Sequence, residues 1–165
     1  MTNVLVAFAT KGGITQAIAE RLGARLLDAG HAVTVVSVQD DPDPTAYDAV
    51  VVGSGIVAGS VYPAAGQWLT AHARGLVDRP VGVFAVHLSA TREPAGLEAA
   101  VGCPDQLAST LPQPPVATTL FTGSSDPAGR HWWERVAARL ARAPRGDFQD
   151  WAAVDAWGGE LAERL

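Results

Sequence analysis

Residues 3–15 read NVLVAFATKGGIT, and three kinds of local structure follow one another within them. Asn3 to Ala9 is almost continuously apolar with β-branched residues at its centre, as expected of a strand buried on both faces of a parallel sheet. From Thr15 onward Ala17, Ile18, Leu22, Leu26 and Leu27 recur at helical spacing, and Gly30 stands where a helix-ending glycine belongs. Between strand and helix lies Thr10-Lys11-Gly12-Gly13-Ile14-Thr15. Paired glycines permit backbone angles that let successive N–H groups converge on an anion. Thr10 and Thr15 add hydroxyls, and the helix dipole favours negative charge. The loop therefore suits a terminal phosphate; its plainer reading is a tight strand-to-helix turn. Neither G-x-x-x-x-G-K-[ST] nor G-x-G-x-x-G is present.

Beyond this unit the chain alternates. Strands are expected at His31–Val38, Tyr47–Gly53, Pro80–Leu88 and Val116–Phe121, and a polar Asp-Pro stretch spans Asp40 to Pro44. Helices are expected at Pro63–Arg74, Arg130–Ala143 and Asp150–Leu165, with one short helix near Asp105–Leu111 in the proline-rich stretch from Ser89 to Pro115. Strands alternating with helices imply an α/β fold, a parallel sheet covered on both faces. In such sheets ligands bind beyond the carboxyl ends of the strands, which singles out Thr10–Thr15, Ser54–Tyr62 and Leu88–Pro94. Strand three ends in Gly53-Ser54-Gly55 and not in the aspartate of a phosphoacceptor site, so a signalling receiver domain is not expected.

Composition narrows the function classes. A length of 165 residues suits one domain, and the sequence is read as such over 1–165. A formal net charge of −5 argues against general nucleic-acid binding, which needs positive charge to displace counterions. Cys103 is the single cysteine, so neither an internal disulfide nor a cysteine-rich metal site is expected; no cluster has metal-ligand spacing. No apolar run is long enough to span a bilayer and no signal peptide is evident, and a cytoplasmic location follows. Arg130, Arg135, Arg139, Arg142 and Arg145 form a basic patch, with Trp132, Trp133, Val136, Ala137 and Leu140 on another side of the same helix. Such a helix either lies on a membrane surface, as peripheral contact through 130–145, or packs its apolar stripe on the sheet. His87 closes a strand at the expected mouth of the site, where it is either a candidate hydrogen-bond partner and proton donor or a satisfied strand-end histidine; His31 and His72 read as structural, and Trp151 and Trp157 as core.

Four stretches in order, FATKGGITQAIAERL (8–22), YDAVVVGSGIVAG (47–59), FAVHLSATREP (84–94) and DFQDWAAVDAWGGELA (147–162), give a chain that resembles the flavodoxin family over nearly its whole length. Within that family it is most similar to the small menaquinone-dependent protoporphyrinogen oxidases and related flavodoxin-domain proteins. The resemblance implies a three-layer sandwich around a five-stranded parallel sheet of order 2-1-3-4-5, and FMN as cofactor. Thr10, Lys11, Gly12, Gly13, Ile14 and Thr15 would hold its phosphate. Ser54, Gly55, Ile56, Val57, Ala58 and Gly59, with His87, Leu88 and Ser89, would bracket the isoalloxazine ring. Where relatives carry a stacking aromatic, this chain has Val57-Ala58-Gly59-Ser60, which leaves Tyr62 or the Trp132-Trp133 pair to cover the ring. The implied activity is an FMN-dependent oxidoreductase acting on a flat aromatic, porphyrinogen or quinone-type molecule, with a homodimer among the expected assemblies. The alternatives are a flavodoxin-type electron carrier and a flavin-less protein using the same crevice.

Overall fold

The computed structural model describes residues 1–89, 94–124 and 150–165. Strand β1 (Asn3–Ala9) runs through the interior, where its all-apolar sequence can be covered from both sides. It pairs in parallel with β2 (Ala32–Ser37) on one side and β3 (Ala49–Val57) on the other. Beyond β3, after a two-residue strand β4 (Ser60–Val61), come β5 (Val81–Ser89) and β6 (Ala117–Ser124), also parallel. The long strands thus stand in the order β2-β1-β3-β5-β6, which is the expected 2-1-3-4-5 once β4 is set aside.

Even- and odd-numbered residues of β1 feed two separate cores. Val4, Val6 and Phe8 pack with Ile18, Leu22 and Leu26 of α1 (Ile14–Asp28). Leu5 and Ala7 pack toward Ala65, Trp68 and Leu69 of α2 (Pro63–Ala71), with Leu76 of α3 (Ala73–Leu76). The second layer also includes α4 (Pro94–Val101) and α5 (Cys103–Ala108), whose Leu107 is buried in it. Helix α6 (Trp151–Ala162) returns to the α1 side, where Trp157 meets Phe84 and Phe121 edge-on at ring-centroid distances of 6.0 and 5.8 Å.

Three expectations are corrected. Strand β3 does not stop at Gly53 but continues to Val57 and folds back through a hairpin, Ile56 facing Val61 and Val57 facing Ser60. Its turn residues Ala58 and Gly59 have φ of 50° and 76°, the positive values that a two-residue hairpin demands. The helix expected over 63–74 breaks at His72, whose ring stacks on Trp68 and whose Nε2 lies 2.7 Å from Asp41 Oδ1. The proline-rich stretch holds two helices, α4 and α5. Pro94 and Pro104 sit in their first turns, where a missing N–H leaves no helical bond unmade. The helix expected at 130–143, with Trp132, Trp133 and the basic patch, lies outside the described residues.

At the rim where the parallel strands begin, Arg79 binds three main-chain carbonyls from two segments. Its Nε donates to Tyr47 O at 2.8 Å, its guanidinium NH2 group to Thr45 O at 3.2 Å, and its NH1 group to Gly75 O at 2.5 Å. Gln113 Nε2 in turn donates to the Arg79 carbonyl at 2.6 Å. Among the described residues no helix is long and apolar enough to cross a membrane.

Candidate functional site at the carboxyl rim of the sheet

The opposite rim gathers the ends of β1, β3 and β5, and each contributes polar groups. After β1, Gly13 adopts φ 88°, a left-handed conformation that a side chain would strain. That conformation turns the N–H groups of Gly12 and Gly13 toward one point. Both donate to Thr10 Oγ1, at 3.1 and 3.4 Å. Gly13 is also the N-cap of α1, which receives no side-chain cap and carries no acid in its first turn. The first N–H groups of a helix lack intrahelical acceptors, so this end of α1 presents donors and positive potential without a competing carboxylate. Lys11 is exposed beside it, Ile14 is buried in the core, and Thr15 is buried with its hydroxyl turned toward β3.

On β3 the expected site residues divide. Ser54 is fully buried and committed to the backbone, its Oγ donating to Gly55 O at 2.8 Å and accepting from Tyr62 N at 3.0 Å. Ser54 thus fastens the hairpin to the strand and offers nothing to a ligand. Gly55 lies where Tyr62 and Thr15 converge: a Cβ there would come within 2.8 Å of the Tyr62 ring and 3.1 Å of Thr15 Oγ1. Tyr62 is therefore an aromatic that the hairpin brings beside Thr15 of the phosphate loop. Ile56 and Val57 belong to the hairpin, and Val57 is 54% exposed. Cys103 reaches the hairpin tip from α5, its thiol donating to Gly59 O at 3.5 Å, and burial pushes that thiol's pKa up. No sequence signal pointed to Cys103, although a thiol at a helix start is a feature that could have been weighed.

His87 stands one residue past the last β3–β5 pair, Gly55 with Val86, and faces Thr122 of β6. Its Nε2 is buried and has no hydrogen-bond partner among the described residues. A buried polar atom without a partner is costly. Leu88 and Ser89 complete β5. His31 and His72 lie elsewhere; His31 Nε2 is 3.2 Å from the Ala162 carbonyl.

A sequence model of the flavodoxin domain matches residues 5–151. The chain belongs to the flavodoxin-domain family. The comparison with curated proteins returned no match. Among solved structures, oxidised flavodoxin 1 from Bacillus cereus has 13% identity and a TM-score of 0.64, with 99% of each chain covered. A flavodoxin from the domain Archaea has 16% identity and a TM-score of 0.58, covering 98% of this chain and 97% of that one. Megasphaera elsdenii flavodoxin has 17% identity and a TM-score of 0.54, over 85% of this chain and 99% of that one. At such identities these likenesses speak for the fold. The match is to the flavodoxin domain as a whole and does not single out the protoporphyrinogen oxidases.

FMN is the cofactor of this flavodoxin family, and the residues present fit it. Two amides converge on the Thr10 hydroxyl oxygen, the N-cap residue of α1 makes no side-chain cap, and His87 Nε2 has no partner among the described residues.

Proposed function

We propose that this flavodoxin-domain protein is an FMN-binding electron carrier. The observation that carries this reading is the focus of the Gly12 and Gly13 amides on a single oxygen at the uncapped start of α1. A phosphate oxygen that displaces the Thr10 hydroxyl from that focus meets the same two donors, with the Lys11 ammonium alongside and the Thr10 hydroxyl free to turn and donate. Once bound, the flavin takes up and releases electrons; the chain's own task is to bind and orient it. Tyr62 offers an aromatic face beside the loop, Gly55 keeps that approach clear of side chains, and His87 Nε2 is placed to exchange a hydrogen bond or a proton with a ring heteroatom.

Two measurements test this. The absorbance of the protein as purified is expected to show bound flavin, and FMN titrated into stripped protein is expected to lose its fluorescence to an end point of one per chain. Colourless protein that leaves FMN fluorescence unchanged overturns the reading.

A second reading, a flavin oxidoreductase acting on a porphyrinogen, quinone or other flat aromatic molecule, is favoured by the hairpin tip. Ala58 and Gly59 carry almost no side chain and Val57 is exposed, so no bulky group from that turn covers a ring. Rapid reoxidation of the reduced protein by small quinones favours the enzyme. Reoxidation only by a protein partner favours the carrier.

A further inference from the structure

Two buried ring nitrogens have no hydrogen-bond partner among the described residues, His31 Nδ1 and His87 Nε2. The His31 ring is anchored through its other nitrogen, 3.2 Å from the Ala162 carbonyl at the end of α6. His87 instead stands at the carboxyl rim, one residue past the last β3–β5 pair and opposite Thr122 of β6. Phe84 and Val86 of β5 belong to the core beside α1, and Val81 and Val83 to the core on the other face. Alternation along the strand therefore turns His87 to that second face, where Val61 and Tyr62 also pack.

Among the described residues, nothing around this ring supplies a fixed counter-charge. The strands on either side, β3 and β6, carry no titratable residue. Two helices pack against β5, and their acids, Glu98 of α4 and Asp105 of α5, are exposed to solvent. Cys103 of α5 is a buried thiol whose pKa is pushed up by burial, and it donates to Gly59 O. Ser54, the hydroxyl on this face of β3, is spent between Gly55 O and Tyr62 N. Of the nearby loop cations, Lys11 is exposed. An imidazolium at His87 thus has no partner of opposite charge from the chain, and gains one when negative charge arrives at the rim.

We infer, on the flavin reading above, that His87 takes up a proton when the flavin of this site is reduced. Two electrons from an external reductant, entering the flavin with one proton, leave it one charge more negative. A second proton, from solvent, forms an N–H bond on the imidazole; no other bond of the chain changes, and the imidazolium, a donor at both nitrogens, balances the added charge. Oxidation sends the electrons to the acceptor and that proton back to solvent. The tendency of the bound flavin to accept electrons is thereby set by pH through a residue of the chain.

Full-length protein carrying nitrogen-15-labelled histidine is followed by NMR near pH 7.5 in three states: stripped of flavin, loaded with FMN, and loaded then reduced with dithionite. The ring signals missing from His87→Gln are expected to pass from imidazole to imidazolium between the second state and the third. Midpoint potentials of bound and free FMN, measured across pH 6 to 9, give the ratio of reduced to oxidised affinity. Relative to His87→Gln, this ratio in wild type is expected to fall as pH rises, at a limit of about tenfold per pH unit for one coupled proton. Reduction that leaves every histidine ring of wild type in its oxidised-state charge overturns the inference, whether or not the variant folds. So does a variant with the pH dependence of wild type. If either happens while FMN binds, the flavin reading stands without the coupling; if FMN does not bind, both fall.

Discussion

The ring of Phe84 fills the space in which a Cβ of Gly53 would stand. The two residues face each other across the β3–β5 ladder, and an ideal Cβ on Gly53 falls 1.9 Å from Phe84 Cζ. The ring is in turn boxed by Phe121 and Trp157, so it has nowhere to retreat. Gly53→Ala is therefore expected to cost about 3 kcal/mol of unfolding free energy by overpacking. Phe84→Ala costs about 3–5 kcal/mol through the cavity it leaves. In the Gly53→Ala/Phe84→Ala double variant the added methyl enters that cavity, so the total loss falls short of the sum. Urea melts of the four proteins check this, and strict additivity would show that the contact is not what forbids a side chain at Gly53.

Replacement of Thr10 by valine removes the hydroxyl at the amide focus with little change of shape. FMN affinity is expected to drop about tenfold, and riboflavin affinity to hold, because only FMN carries the phosphate. Gly13→Ala forces a side chain into φ 88° and is expected to cost about 1–2 kcal/mol of stability on top of a similar loss of FMN. Equal losses for riboflavin and FMN would move the phosphate away from this loop.

His87→Leu separates stability from binding. Because Nε2 is buried without a partner among the described residues, an apolar replacement is expected to raise the stability of flavin-free protein by about 1 kcal/mol. The same change is expected to weaken FMN. A destabilised flavin-free protein would mean that the imidazole is satisfied as it stands.

Arg21 grips Asp155 with two nitrogens, at 2.7 and 2.6 Å, and ties α1 to α6. Hydrogen bonding from Arg21, helped by the charges of Arg21 and Arg25, holds the Asp155 carboxyl below its usual range. The native ion therefore survives to lower pH than the unfolded one, which protonates near pH 3.9. Its contribution is fully present above about pH 4 and is lost as pH falls through the native value. With both partners partly exposed, Asp155→Asn should cost under about 1 kcal/mol at pH 7, and wild type and variant should converge near pH 2. A gap that persists at low pH would point to packing in place of charge.

Cys103 is buried beneath the hairpin tip, and desolvation raises its pKa. Iodoacetamide at pH 8 is expected to label it much more slowly in native protein than in urea, since the thiolate is the nucleophile. Equal rates would place the thiol at the surface.

What could be read from sequence was whatever a short run of residues decides alone. The apolar run of β1 and the glycine-flanked start of α1 fall into this class, because solvent exclusion and backbone freedom act within a few positions. The far end of β3 does not. Gly53-Ser54-Gly55 resembles a loop, yet each is small for a reason elsewhere in the chain: Phe84 presses on Gly53, the hydroxyl of Ser54 binds Tyr62, and Tyr62 with Thr15 crowds Gly55. Pro94 and Pro104 misled in a related way, since a proline ends one helix and begins another with the same chemistry. Tyr62 could be named from sequence as a cover for the ring, but its place beside Gly55 and Thr15 depended on the hairpin, and the hairpin on positive φ at Ala58, a residue type that does not advertise it.

The clasp of Arg79 on Thr45, Tyr47 and Gly75 closes the rim of the sheet farthest from the cofactor loops. With that end secured by contacts to main-chain atoms, the opposite loops are free to be rewritten without refitting the sheet. Grafting the hairpin or phosphate loop of a distant relative onto this chain is then an exchange at one rim, made with the other held fast.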